Sequence, residues 1–397
     1  MTLLATEFAQ WAAASFWVVS VLLLAFSTLA ALVQPRIAAR RATRKDQPPV
    51  SIALPVKLLE NCFERAQESA FAQQYPDYEV VAASCEPDSD ASRAMRAIFA
   101  RHPERSTRFL CSTAKIAASP KVDNLVAPFS EAAYDTILMK DANVVLAPDE
   151  LVEHMRQLAP GVGLVCAIPY CADTPNFASQ IEASIVNGPH ARMLYLVSCF
   201  RQGYGVGKIM LFRRSDFLRA GGFAAISHTV GEDNAFGHAL ARVGLRTVFS
   251  HRPVRQDLGR RSLVEVYQRQ LRWSVIRRGD ALLTFLFEPF NQAGPAIVAA
   301  AVAAPFMGLG PLQGAAATFM LWLVVENLLS SAKGRSLTWG APLILVAREI
   351  VMLTVWIHAW TTNRVVWAKA SFGARGDASS HKPQTSERAA VAARKEG

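Results

Sequence analysis

Four acidic side chains and an arginine pair are spread along the middle of this chain at places where a polar site could form. Asp141 stands in Lys140-Asp141-Ala142-Asn143, directly behind the apolar run Thr136 to Met139. A carboxylate there could bind a divalent ion that bridges a diphosphate, with Asn143 adding a neutral oxygen. An Asp after a strand is also an ordinary turn or helix N-cap residue. Asp88 follows the apolar run Glu79 to Ala83, where it could accept hydrogen bonds from a base or ribose. Glu232-Asp233 opens a helical pattern, a common place for acids beside the helix dipole, and equally a place for a general base acting on a hydroxyl. Arg269 and Arg272 lie one turn apart in a helical stretch, with Trp273 next to them. Guanidinium groups suit a diphosphate leaving group, and the indole suits an acceptor wall. The plainer reading of that stretch is a basic amphipathic helix on a membrane surface.

These residues need a scaffold, and the pattern around them supplies one. Val50 to Pro55, Glu79 to Ala83, Thr107 to Cys111 and Thr136 to Met139 read as strands. They alternate with helical spacing over Leu58 to Ala72, Ala91 to Ala100 and Asp123 to Ala132. Alternation of this kind predicts an α/β domain with a mostly parallel sheet. Ligands bind such sheets beyond the carboxyl ends of the strands, and Asp88 and Asp141 both fall on that edge. The run Gly203-Tyr204-Gly205-Val206-Gly207-Lys208 lacks the Ser or Thr of a nucleotide-triphosphate loop and leads into a strand. It predicts only flexible backbone near a substrate.

Hydrophobic residues make up 51% of the 397 positions, too many for an ordinary soluble enzyme, and the excess sits at the two ends. Trp11 to Val33 is long and apolar enough to span a bilayer. Basic residues follow it rather than precede it (Arg36, Arg40, Arg41, Arg44, Lys45), which predicts a retained anchor with the next domain on the cytoplasmic side. Ala293 to Leu309, Leu312 to Leu329 and Ala341 to Trp360 are further apolar segments. The first two are placed as a hairpin around Gly308 to Pro311. The last contains Arg348 and Glu349, costly in hydrocarbon unless paired; a full span would put the basic tail outside, against the charge rule, a re-entrant or interfacial course would not, and the sequence leaves the two open. The domain plan is an anchor over 9–34, a cytoplasmic domain over 48–279, interfacial and transmembrane helices over 280–362, and a disordered basic tail over 373–397.

The net charge of +10 clusters beside the apolar ends, which points to anionic lipid headgroups. No helix-turn-helix, zinc-finger or RNA-recognition pattern accompanies it, so nucleic acid is not an expected partner. Six cysteines without a CxxC or a companion His pair predict free thiols.

In order and separation, Asp88, Asp141, Glu232-Asp233 and Arg269-x-x-Arg272-Trp273 resemble the D, D, D, (Q/R)xxRW signature of the ceramide glucosyltransferase family. Several other stretches are similar as well. Ser119-Pro120-Lys121-Val122-Asp123-Asn124-Leu125 looks like the family's PK-x-NNL stretch. Val162 to Val165 with Ile168-Pro169-Tyr170 and Ala172-Asp173 looks like its VGLV…PY-x-AD segment. His190 with Arg192 matches a paired His/Arg element, and Ala220-Gly221-Gly222 an AGG turn. The likeness runs from about Val50 to Pro289.

The resemblance implies a GT-A fold, a UDP-sugar donor with UDP-glucose first, Mg or Mn, and inversion at the anomeric carbon. It implies Asp233 as the catalytic base and Asp88, Asp141, Lys121, Arg269 and Arg272 on the nucleotide-sugar. Trp273, Glu232 and His190 fall on the acceptor side, and Asp141 with Asn143 on the metal. The acceptor it implies is a membrane lipid hydroxyl, ceramide foremost, with diacylglycerol or a hopanoid as alternatives. Two departures stand out: the Asp141 motif carries one carboxylate only, and Ser89 replaces a second aspartate beside Asp88. A polysaccharide synthase shares the (Q/R)xxRW element, and a non-catalytic nucleotide-sugar sensor would share the fold.

Overall fold

The computed structural model describes residues 2–200, 204–334, 340–367 and 370–373. Helix α1 (Thr2–Arg41) precedes a domain that alternates strand and helix. Its first half contains β1 (Val50–Pro55), α2 (Phe63–Glu68), β2 (Tyr78–Ser84), α3 (Asp90–Ala100), β3 (Thr107–Cys111), α4 (Pro120–Glu131) and β4 (Thr136–Lys140). Then come β5 (Val144–Val145), α5 (Glu150–Met155), β6 (Val162–Cys166), β7 (Pro169–Ala172), α6 (Phe177–Ile185) and α7 (Ala191–Cys199). The second half holds β8 (Ile209–Arg213), α8 (Arg214–Arg219), α9 (Glu232–Arg242), β9 (Arg246–Phe249), β10 (Val254–Asp257), α10 (Leu263–Asp280) and α11 (Leu282–Leu286). Three apolar helices close the chain: α12 (Ala293–Ala303), α13 (Pro311–Ala332) and α14 (Ala341–Thr361).

Seven strands form one sheet in the order β3-β2-β1-β4-β8-β6-β9. Its pairs are parallel except those made by β8, which runs against both β4 and β6. Strands β1, β2 and β4 are buried almost throughout, as expected where helices cover both faces. One core cluster joins Ile52, Val80 and Leu138 to Met95 and Met155, and a second joins Ile137, Leu164 and Phe212 to Phe129 and Phe236. Because β8 is antiparallel, its amino end lies at the same sheet edge as the carboxyl ends of β1 and β4. A small sheet, β5-β10-β7, stands beside that edge.

The expected helix over Leu58 to Ala72 shrinks to Phe63–Glu68. Polar contacts draw the preceding residues out of helical geometry. Asn61 donates to the Arg260 carbonyl at 2.7 Å, Glu60 accepts from Asn143, and Cys62 adopts a left-handed conformation.

Three helices are long and apolar enough to cross a membrane: Thr6–Arg41, Pro311–Ala332 and Ala341–Thr361. The hairpin at Gly308 is present, and Gly314 packs so tightly on α12 that a Cβ there would lie 2.7 Å from the Ala300 carbonyl oxygen. Its first arm, Ala293–Met307, is the shorter element. The last apolar segment forms α14, an uninterrupted 21-residue helix. Its charges are paired. Arg348 Nη1 lies 2.7 Å from Glu326 Oε2, and its Nη2 lies 2.8 Å from Glu349 Oε1. Arg192 of α7 reaches Glu326 at 3.2 Å, and Glu349 accepts from the Gly294 amide at 2.8 Å. The tail expected to be disordered lies outside the described residues, except for Gly373, which ends a strand Ala370–Gly373 paired with Arg364–Trp367.

Candidate active site

A cavity of about 790 Å³ opens at the carboxyl edge of the sheet and continues toward the apolar helices. Its polar end is lined by Lys121, Asp141, Asn143, Lys208, Glu232, Asp233, Arg269 and Arg272. His190 and Trp273 stand along its wall, their rings 5.9 Å apart. Nine of the ten expected site residues therefore share one cavity.

Asp88 is the exception. It sits on the exposed loop after β2, its carbonyl accepting from Arg93, and it does not line the cavity. Asn124 ties that loop to the cavity wall, accepting from the Cys85 amide at 2.8 Å and donating to the Val56 carbonyl at 3.0 Å.

Asp141 follows β4 immediately, so the strand fixes its backbone. Its Oδ1 lies 2.7 Å from Lys121 Nζ and its Oδ2 lies 3.1 Å from Lys208 Nζ. Burial alone would raise this carboxyl, but the two ammonium groups outweigh it and hold the pKa at about 2. Lys121, at the start of α4, also donates to the Gly207 carbonyl at 3.0 Å and lies 3.4 Å from Glu232 Oε1. Burial would lower its ammonium pKa, yet Asp141 and Glu232 raise it above the usual lysine range. Burial pushes Glu232 itself upward, with Lys121 opposing and Asp233 adding to the rise.

Asp233 occupies the first turn of α9. Gly205 packs against its backbone so closely that a Cβ would stand 1.6 Å from the Asp233 carbonyl oxygen. The glycine-rich run is therefore a packed support for the acid, although Gly203 lies outside the described residues.

Arg269 and Arg272 project from one face of α10, which begins with a capping box made by Ser262 and Glu265. Arg269 Nη1 pairs with the buried Glu182 of α6 at 3.1 Å. Among the described residues Arg272 makes no hydrogen bond or ion pair. Burial, then the neighbouring Arg269, lowers its pKa to about 10. Burial likewise pushes the His190 imidazole down to about 3, with Arg277 and Arg348 adding to the effect.

Mg-type ions take one or two carboxylates and complete their shell on substrate phosphates and water. Among the described residues no three His, Cys, Asp or Glu gather into a metal site of their own. Asn143 Oδ1, however, is buried without a hydrogen-bond partner while its Nδ2 donates to Glu60 Oε2 at 2.9 Å. One carboxylate and one orphaned neutral oxygen fit an ion that arrives with a diphosphate.

Sequence reasoning passed over Lys208, Glu182, Glu60 and the part of the apolar wall given by α1 and α7, whereas the apolar stretch Phe285, Leu286, Phe287, Pro289 and Phe290 is expected at a membrane interface below the site. Lys208 carried a signal in the glycine-rich run, whereas Glu182 had none, lying in an ordinary amphipathic helix. The wall comprises Val19 and Leu23 of α1, Met193, Leu194 and Val197 of α7, and Leu283, Phe287 and Phe290 after α10.

The family model for glycosyl transferase family 21 matches residues 15–379. Ceramide glucosyltransferase 3 of Caenorhabditis elegans is 22% identical over 332 residues, covering 82% of this chain and 72% of the relative. Ceramide glucosyltransferase 1 of the same organism is 25% identical over 82% of this chain and 71% of its own length. The ceramide glucosyltransferase of Komagataella phaffii is 22% identical over 90% and 89%. Among solved structures, a mannosyltransferase of Pyrobaculum calidifontis in complex with GDP-Man and Mn2+ aligns with a TM-score of 0.47 at 18% identity, covering 87% of this chain and 98% of that one.

Proposed function

The chain belongs to glycosyl transferase family 21; from that premise we propose that it is a membrane glycosyltransferase of the GT-A fold that transfers a hexose, glucose first, from UDP to the hydroxyl of a membrane lipid, ceramide foremost. The observation that carries this reading is the continuity of the cavity. Its charged end and its apolar wall are one space, and the apolar wall is built partly from α1, a helix long enough to span a bilayer. A water-soluble acceptor has no use for such a wall, whereas a lipid can keep its chains there while its hydroxyl reaches Asp233.

Asp233 takes the proton from the acceptor hydroxyl, whose oxygen attacks the anomeric carbon from the face opposite the leaving diphosphate. One displacement of this kind inverts the configuration. Arg269, Arg272 and Lys121 counter the charge that builds on the diphosphate. Glu182 fixes Arg269 so that its fork need not be ordered during the reaction. Asp141 and Asn143 Oδ1 would hold a divalent ion, which supplies further neutralisation of the diphosphate when bound. Asp88, on the β2 loop outside the cavity, is assigned to the nucleoside, which would extend along that edge past Asn124. The basic residues behind α1 favour a cytoplasmic catalytic domain facing anionic headgroups.

The test is acceptor choice. Purified full-length protein is given UDP-glucose with vesicles containing ceramide, diacylglycerol or a hopanoid, and lipid extracts are analysed by mass spectrometry. A monohexosyl lipid with ceramide preferred is the expected product. A water-soluble polymer, or UDP release indifferent to all lipids, would overturn the assignment.

A further inference from the structure

Backbone register sets where Lys208 enters the cavity. The antiparallel ladder between β4 and β8 pairs Lys140 with Ile209. One step further, the Asp141 amide donates to the Lys208 carbonyl at 3.0 Å. Backbone register therefore fixes Lys208 opposite Asp141, at the edge where the other site residues converge.

Its hydrogen-bonding is incomplete. An ammonium group has three N–H donors. Lys121 directs its own toward Asp141, the Gly207 carbonyl and Glu232. Lys208 has one partner among the described residues, Asp141 Oδ2. Two donors on an ammonium whose side chain is only 13% exposed are left facing the cavity. Arg272 lines the same space, also a cation with no protein partner among the described residues. A buried cation with open donors is costly unless an anion completes it.

We infer that Lys208 is a diphosphate-binding residue, which together with Arg272 lets the site hold a nucleoside diphosphate even without a divalent ion. This rests on the nucleotide-sugar reading of the cavity. Were a divalent ion held by Asp141 and Asn143, Lys208, with one contact against the three of Lys121, would be the freer lysine to turn toward the phosphates, so it would contribute with or without the ion.

The experiment is calorimetric titration of the full-length detergent-solubilised protein with UDP, in excess EDTA and again with manganese, using uridine as the phosphate-free control. In EDTA the wild type is expected to bind UDP. Lys208→Met should weaken that binding roughly 10–100-fold, the span of one charge-assisted hydrogen bond. Lys208→Arg should recover most of the loss, and uridine affinity should stay unchanged in both variants, which also reports that they fold. If Lys208→Met fails the uridine control, Lys208→Gln takes its place. UDP binding in EDTA that is equal in the wild type and the neutral variant overturns the proposal, as does wild-type binding that requires manganese. In both cases UDP is still bound and the nucleotide-sugar reading stands. No UDP binding by the wild type under either condition would overturn both.

Discussion

The Gly207 amide donates to Asp233 Oδ2 at 2.8 Å, and the space a Gly207 side chain would need is held by Lys121 Nζ, 2.9 Å from the position of its Cβ. Two steps back, Gly205 touches the Asp233 backbone. The proposed base is thus set by glycine contacts from the loop before β8. Gly205→Ala is expected to displace Asp233, lowering kcat about 100-fold, within the range expected when a general base is lost, while UDP affinity changes little. Steady-state kinetics beside a UDP titration checks this; wild-type kcat in the alanine variant would show that the contact is not needed.

Acid should loosen the donor site in a defined window. The folded-state pKa of Asp141 is about 2, below the usual value near 4. The unfolded chain therefore binds more protons between those values, and this residue's contribution to stability is complete above about pH 4 and is lost as pH falls toward 2. Thermal unfolding across that window should be steeper in the wild type than in Asp141→Asn. Parallel curves for the two proteins would show that the lysine pair does not stabilise this carboxylate.

Much of this site was legible from residue order alone. Strands β1 to β4 followed from apolar runs bounded by turn residues, and the parallel-sheet rule then placed Asp141 at the productive edge. The first helical turn alone favours an ordinary dipole partner at Glu232 and Asp233, and it is the resemblance to the family signature that singles them out for the site. What could not be read was pairing between distant segments. Nothing local marks Glu182 as the counter-ion of Arg269, or Glu326 as the partner of Arg348, because these contacts arise only when helices far apart in sequence pack. The helix over Leu58 to Ala72 was overextended for the same reason: its first residues are held by Asn143 and Arg260. Asp88 had the right local setting, yet the β2 loop carries it to the surface.

Arg348 tests how the membrane helices are joined to the catalytic domain. It is fully buried, and Glu326 bridges it to Arg192 of α7, just past His190. Arg348→Met leaves Glu326 with Arg192 as its one cationic partner and takes the guanidinium from Glu349. Breaking buried pairs costs about 3–5 kcal/mol. The variant should lose several degrees of thermal stability in detergent, measured by intrinsic fluorescence. An unchanged melting curve would mean that the cluster is solvated.

The apolar wall should control the acceptor and not the donor. Val197 faces the cavity from α7. Val197→Trp is expected to raise KM for a long-chain lipid acceptor about tenfold or more, while KM for the UDP-sugar and slow UDP-sugar hydrolysis stay near wild type. Equal acceptor kinetics in the variant would place the lipid elsewhere.

Removing the proposed base while keeping its shape confronts the reaction itself. Asp233→Asn retains an oxygen able to accept from Gly207 but cannot take a proton from the acceptor. With radiolabelled UDP-glucose and ceramide-containing vesicles, the wild type should transfer label into the organic phase, and the variant should do so about 10²–10⁴-fold more slowly with UDP affinity intact. Label entering lipid at the wild-type rate in Asp233→Asn would contradict the account.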